Sequence, residues 1–102
     1  MVVKKKLKVK WTDKTNASLE RQFLIIKDDS PKNAKMVRME ILKATKAIPK
    51  HPRKYQIDEH FPQKSGEIRR FFKWSYRIVY EIQEDSIDIL NVIHTSREPS
   101  IE

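Results

Sequence analysis

The feature that most constrains the fold is a run of strand-like sequence, residues 66–99, near the carboxyl terminus. Two of its segments, residues 77–82 and 86–94, are rich in β-branched and aromatic side chains, a composition typical of half-buried strands. The polar sequence QEDS separates them and has the length of a hairpin loop. The sequence KWSY gives a second turn between RRFF and RIVY. The region therefore predicts three antiparallel strands joined by two hairpins.

The period of two in a strand assigns the side chains of this region to two faces. A pairing of Ile82 with Ile87 across the second hairpin sets Arg77 opposite Val92, which makes Arg77 and His94 diagonal neighbours on one face. The more apolar face, which we expect to form the core, then carries Ile78, Tyr80, Ile82, Ile87, Ile89 and Ile93. A slip of one residue in the register would reverse this assignment.

The second face mixes cations with apolar groups, which indicates a binding surface. If the first turn pairs Lys73 with Tyr76, Arg70 joins Arg77 and His94 on that face. The alternative interpretation is a solvated face whose arginines pair with nearby carboxylates, and the local pattern favours neither. The candidate binding residues in and just after the strands are Arg69, Arg70, Lys73, Arg77, His94 and Arg97.

The first half of the chain predicts one strand followed by two helices. Residues 4–12 alternate apolar side chains with lysines, as a half-buried edge strand does. Thr12 or Asp13 can cap a helix over residues 14–27. Ser30 can cap a second helix over residues 31–48, in which Pro31 takes the first helical position. The short link between the helices predicts an antiparallel helical hairpin.

Residues 49–65 are proline-rich, show no sustained period and predict a long loop. The loop holds His51 and His60, but no further ligand stands at metal-binding spacing, so we expect no metal site. The predicted fold is α+β, in the order β-α-α-β-β-β. A helical hairpin packs on one face of a mainly antiparallel four-stranded sheet, because its apolar stripe needs a cover.

Composition limits the class of protein. At 102 residues, 38% hydrophobic and 35% charged, the chain predicts one folded domain over residues 1–102. Its net charge of +8 predicts a polyanionic or acidic partner. The chain has no cysteine and no apolar run of about 20 residues, which predicts a cytoplasmic protein that neither forms disulfides nor spans a membrane. The single glycine excludes a glycine-rich phosphate loop, and we expect no cofactor.

The ordered set of segments resembles the RelE/ParE superfamily of bacterial type II toxins. The segments are VKWT, the helix joint DDSPKNA, PKHPRKY, GEIRR, SYRIVYEI and SIDILNVIHTSREP, which together extend over about residues 7–99. The resemblance implies a growth-inhibiting toxin that is neutralised by a cognate antitoxin. It also implies that an extended or helical segment of the antitoxin wraps the toxin, and a chain of charge +8 suits an acidic segment of that kind.

The superfamily has two branches with different targets. RelE-like members cut mRNA in the ribosome, and ParE-like members poison DNA gyrase. If the chain were RelE-like, Arg77 and Arg97 would match the nuclease arginines and His94 would be the candidate acid or base. However, RelE-like nucleases carry a tyrosine after the last strand, whereas this chain ends REPSIE. The sequence therefore favours a ParE-like protein that acts on gyrase. The alternatives are a ribosome-dependent endoribonuclease and a non-toxic member that only binds a partner.

Overall fold

A computed structural model describes residues 7–58 and 67–95. Its elements are β1 (Lys8–Trp11), α1 (Asp13–Asp29), α2 (Pro31–Ala47), a 3₁₀ turn (Ile48–Lys50), β2 (Gln56–Ile57), β3 (Glu67–Lys73), β4 (Tyr76–Ile82) and β5 (Ser86–His94). The α+β prediction is confirmed, and both helices lie within two residues of their predicted bounds. The described sheet has five strands, one more than predicted.

The five strands lie in the order β1-β5-β4-β3-β2. Three of the four pairings are antiparallel: the two central hairpins, β3–β4 and β4–β5, and the pairing of β2 with β3. Strand β1 pairs with β5 in parallel. The additional strand is β2, which lies within the segment predicted as a loop. It pairs Gln56 with Arg70 and Ile57 with Arg69. Two residues are too few to show a strand period, so the sequence carried no signal for this strand.

Both helices begin at side-chain caps that the sequence indicated. The Thr12 hydroxyl accepts a hydrogen bond from the Thr15 backbone N–H at 3.1 Å. The Ser30 hydroxyl accepts one from the Asn33 N–H at 3.2 Å, and Pro31 follows as the first residue of α2. These bonds satisfy backbone donors that have no partner inside a helix, and they set the starting points of the helical hairpin.

The helical hairpin packs on one face of the sheet and encloses the core. From the helices come Leu19 and Ile41, and Ile48 of the 3₁₀ turn packs with them. The sheet contributes Phe71, Tyr76, Ile78, Tyr80, Ile87, Ile89 and Val92. Most of the side chains that we assigned to the core face are therefore in the core.

One register prediction is wrong because β5 contains a β-bulge. The pairing of Ile82 with Ile87 is confirmed, but Val79 pairs with Asn91 whereas Tyr80 pairs with Ile89, which leaves Leu90 as an extra residue. Beyond the bulge every pair is displaced by one, so Arg77 lies opposite Ile93 instead of Val92, and His94 lies opposite Tyr76 instead of Ser75. Val92 therefore replaces Ile93 in the core.

Helix α1 completes the sheet where β1 ends. The last β1 residue, Trp11, pairs with Ile89, so β5 continues beyond its parallel neighbour. The Thr15 hydroxyl donates a hydrogen bond to the Ile89 carbonyl oxygen at 2.7 Å, and the Ser18 hydroxyl donates one to the Val92 carbonyl oxygen at 3.0 Å. Thr15 and Ser18 are buried, and they supply donors to carbonyl groups at and beyond the end of β1.

Candidate target-binding surface

The bulge divides the predicted cationic site between two faces of the sheet. Lys73, Tyr76 and His94 lie directly opposite one another across β3, β4 and β5, so they share the face that carries the helices. The Lys73 ammonium lies 3.6 Å from the Glu40 carboxylate of α2, which agrees with that side of the sheet. The His94 ring packs edge-on against the Tyr76 ring, with a centroid distance of 5.1 Å. His94 is therefore held beside an aromatic ring of the core.

Arg77 lies on the opposite face, so the prediction that it neighbours His94 is wrong. Its guanidinium donates a hydrogen bond to the Asp58 carboxylate at 2.5 Å. The side chains of this ion pair are 6% and 0% exposed, respectively. The pair joins the segment after β2 to the central strand β4. Such a buried pair is costly to break, because removal of one partner leaves an uncompensated charge.

Arg69 of β3 binds the segment that follows α2. Its guanidinium contacts Glu67 at 2.5 Å and donates a hydrogen bond to the Tyr55 carbonyl oxygen. Burial raises the pKa of the Glu67 carboxyl, but hydrogen bonds and charge from Arg69 and Arg53 outweigh it and hold that pKa below its ordinary value. The nearby Tyr80 hydroxyl donates a hydrogen bond to the Pro52 carbonyl oxygen at 2.6 Å. We therefore assign Arg69 a structural role.

Arg70 is the predicted cation that borders an open cleft. Its guanidinium donates to the Gln56 side-chain oxygen at 2.9 Å and lies 5.0 Å from the centroid of the Phe72 ring. Phe72 is half exposed, and the cleft beside it has a volume of about 350 Å³. Its lining comprises Lys54, Tyr55, Gln56, Arg70, Phe71 and Phe72. A cation, an exposed ring and a neighbouring lysine suit contact with an acidic chain that also presents apolar side chains.

Trp74 is a surface residue that the sequence reasoning did not single out. It lies in the turn between β3 and β4, has a φ of 53° and is 53% exposed. The Lys73 ammonium lies 5.0 Å from its ring centroid. Left-handed backbone is unfavourable for a residue with a Cβ, and a large exposed ring gains little from burial to offset that cost. The sequence does carry a signal for this backbone conformation. A two-residue hairpin turn needs a left-handed residue, and because KWSY has no glycine, another residue must take that conformation.

We call Lys73, Trp74, Tyr76 and His94 the hairpin end. The group offers an exposed ring and a cation beside the end of β5, which suits binding. In the part of the chain that the structure describes, no set of three His, Asp or Glu side chains is placed to hold a metal ion. Arg97 and His60 lie outside the described residues, so the proposed role of Arg97 stays a prediction.

The family profile described as "ParE toxin of type II toxin-antitoxin system, parDE" matches residues 9–99. A helical hairpin on a mostly antiparallel sheet, together with this match, defines the class as a RelE/ParE-superfamily toxin. Within that class, the chain belongs to the ParE toxin family of type II toxin–antitoxin systems.

A solved structure supports the fold. The chain is similar to one from the "Chromosomal ParDE TA system from P. aeruginosa", with a TM-score of 0.68 and 17% sequence identity. The similarity covers 87% of this chain and 96% of that chain. No curated protein matches the sequence significantly. Neither described helix is long and apolar enough to cross a membrane.

Proposed function

We propose that this protein arrests growth by poisoning DNA gyrase and that a cognate acidic antitoxin holds it inactive. The observation that carries the proposal is the separation of Arg77 from His94. Cleavage of RNA by attack of its 2′-hydroxyl requires an acid, a base and a cation around one phosphate. Here the candidate cation is buried against Asp58 on one face, and the candidate acid or base packs against Tyr76 on the other. This arrangement favours binding over RNA cleavage, in agreement with the membership of the ParE family.

We propose that the hairpin end contacts the target. Trp74 is its most exposed aromatic ring, and its left-handed backbone is unfavourable for a residue with a Cβ. Lys73 stands beside it and adds a positive charge. Large aromatic rings and cations at the centre of an interface commonly contribute most of the binding energy.

The test is a cleavage assay with purified gyrase, plasmid and the toxin. We expect cleaved plasmid to accumulate on addition of the wild-type protein, whereas a cell-free translation reaction continues. Trp74→Gly should remain folded, because glycine adopts a φ of 53° without strain, yet it should lose most of the gyrase effect. Leu24→Ala is the matched control, since Leu24 is also half exposed but lies on α1.

Two results would contradict the proposal. Ribosome-dependent cuts in mRNA, with no cleaved plasmid, would identify a RelE-like nuclease. If the protein causes neither plasmid cleavage nor mRNA cuts at any concentration, it is a protein that only binds its partner. Retention of full gyrase activity by Trp74→Gly would remove the hairpin end from the interface while leaving gyrase as the target.

We propose that the acidic antitoxin occupies the cleft beside Arg70. The cleft is lined by two cations and by aromatic rings, and the whole chain carries a charge of +8. The expected antitoxin is a small acidic protein encoded next to this gene, and Arg70→Glu should weaken the complex with it. Its effect should be largest at low salt, because the lost attraction is electrostatic. Arg21→Glu on α1 makes the same change of charge away from the cleft, and an equal loss in both variants would exclude a specific role for Arg70.

A further inference from the structure

The outward face of α2 carries a stripe of lysines. Counted along the helix, the stripe positions recur at spacings of three and four residues, which places them on one side. The opposite side of α2 faces the core through Ala34, Ile41 and Thr45, all of them buried. We use the name α2 stripe for Lys32, Lys35, Met39, Lys43 and Lys46, all of which are exposed.

The positive charge of the α2 stripe is not balanced by neighbouring carboxylates. Glu40 is the one acidic residue of α2, and its carboxylate lies 3.6 Å from Lys73 of the sheet. Arg38 is the one cation of α2 that does not belong to the stripe, and it pairs with Glu20 of α1 at 3.4 Å. Within residues 7–58 and 67–95, no carboxylate forms an ion pair with any of the four stripe lysines.

Helix stability does not explain the placement of these lysines. The amino-terminal end of a helix carries partial positive charge, so acidic side chains stabilise its first turn and lysines oppose it. The first turn of α2 has no acidic residue, and Lys32 stands in it. Lys46 in the last turn is favourable by the same rule. The stripe therefore continues through the end of the helix where lysine is unfavourable.

Further cations follow the end of α2 in the chain. The 3₁₀ turn and the segment after it border a shallow depression of about 660 Å³, lined by Lys50, His51, Pro52, Arg53 and Lys54. From Lys32 to Lys46 the helical rise gives the α2 stripe a length of about 21 Å, because each residue advances the helix by about 1.5 Å. The stripe thus has roughly the length of six base pairs of duplex DNA, at about 3.4 Å per pair along a strand.

We propose that the α2 stripe binds the phosphate backbone of duplex DNA, in addition to any contact that the protein makes with gyrase. Lysine is depleted from protein–protein interfaces, and against four lysines the stripe and its border offer two exposed apolar side chains, Met39 and Met36. A single strand is usually bound by aromatic rings that stack on its bases, and the stripe has none. The apolar face of α2 is buried in the core and is unavailable to a lipid layer.

The test compares two variants of equal net charge. In the first, Lys32, Lys35, Lys43 and Lys46 are changed to glutamine. In the control, the lysines that are changed to glutamine are Lys8, Lys10, Lys14 and Lys27, which are exposed on β1 and α1. Binding of a labelled 20-base-pair duplex of random sequence is measured by fluorescence anisotropy at several salt concentrations. Circular dichroism and thermal melting check that both variants remain folded.

We expect the wild-type protein to bind the duplex with a steep salt dependence. Each phosphate contact contributes about −0.9 to the slope of log K against log salt, so loss of four contacts should reduce the slope by about 3 to 4. For the four stripe contacts alone, a rise from 50 to 200 mM salt should lower the binding constant for the duplex roughly 10²-fold. The control variant should change the slope by less than about one.

Four outcomes would overturn this assignment. An equal change of slope in both variants would show that only the net charge matters. Tighter binding to a single-stranded oligonucleotide of the same length, or to vesicles of phosphatidylserine and phosphatidylcholine, would identify a different polyanion. Absence of duplex binding at 50 mM salt would exclude the interaction. Retention of the slope by the stripe variant would place any DNA contact elsewhere on the chain.

Discussion

Arg77 illustrates how the neighbourhood of a residue decides its role. In the sequence it is a cation on a mixed strand, and the resemblance to RelE-like toxins made it a candidate nuclease arginine. In the structure its guanidinium is buried against Asp58, a residue nineteen positions earlier in the chain. Its side chain therefore connects the segment after β2 to the sheet, and loss of function in an Arg77 variant would first have to be separated from loss of folding.

Arg77→Ala should lower the free energy of unfolding by about 3–5 kcal/mol, because it removes a guanidinium that neutralises the buried Asp58 carboxylate. Urea denaturation followed by circular dichroism measures the change. Arg38→Ala removes an exposed ion pair to Glu20 and should cost less than about 1 kcal/mol. The double variant Arg77→Met, Asp58→Leu should recover most of the stability, since apolar replacement of both partners is often neutral. If the double variant is no more stable than Arg77→Ala, the ion pair is not the cause.

Tyr80 should make stability depend on pH in the alkaline range. Burial raises the pKa of its hydroxyl to about 12, so the folded state keeps the proton above pH 10, where the unfolded chain loses it. This contribution is fully present below pH 10 and is lost as the pH rises to 12, by roughly 2–3 kcal/mol. The measurement is the difference in unfolding free energy between wild type and Tyr80→Phe at pH 8, 10 and 12. A difference that stays constant would contradict the assignment to Tyr80.

Among the elements, α1 has two functions in the fold. Its apolar side chains cover the sheet, and its hydroxyl groups donate hydrogen bonds to backbone carbonyls of β5 at and beyond the end of β1. An amphipathic pattern reveals the first function. The second depends on where β1 ends relative to β5, which is a property of strand pairing.

Thr15→Val should lower the free energy of unfolding by about 1–3 kcal/mol, because the Ile89 carbonyl loses a buried donor while the side-chain shape is retained. The exposed neighbouring change Asn16→Ala should stay within about 0.5 kcal/mol of wild type. Chemical denaturation of the two variants gives the comparison. Equal effects would show that the hydrogen bond to β5 is not important for stability.

Two variants of helix α2 distinguish an effect on stability from an effect on DNA binding. Lys32→Glu places an acidic group in the first turn, which should stabilise the helix by about 0.3–1 kcal/mol at low salt. Lys46→Glu in the last turn should destabilise it by a similar amount. Thermal melting measures both. If the α2 stripe binds DNA, both variants should bind the duplex more weakly, so the signs of the two stability changes differ while the binding changes agree.

In the whole molecule, protection of backbone amides from hydrogen exchange should decrease from the centre of the sheet to its edges. The central strand β4 pairs on both sides along its length, and β5 pairs with β4 and β1. At the two edges of the described sheet lie β1 and β2, with four and two residues. We expect amide hydrogen exchange to be slowest in residues 77–82 and 87–93 and fastest in β2. Faster exchange in β4 than in β1 would contradict this order.

The sequence by itself determined the elements that depend on local pattern. The helices over residues 13–29 and 31–47 follow from a period near 3.6 and from the caps Thr12 and Ser30, whose bonds reach three residues along the chain. The hairpin strands follow from a period of two, and the two tight turns fixed the first pairs of each hairpin. The order of these segments also carried the resemblance to the RelE/ParE superfamily, which the family match confirms.

The tertiary structure alone decided the geometry of the candidate site. The bulge at Leu90 has no local signal, because an extra residue leaves the apolar composition of β5 unchanged while it reverses the faces beyond it. The two-residue strand β2 exists only through its pairing with β3. The partner of Arg77 is fixed by that pairing as well, since it brings Asp58 beside the sheet. These features arise from contacts between segments distant in sequence, so patterns within one segment could not predict them.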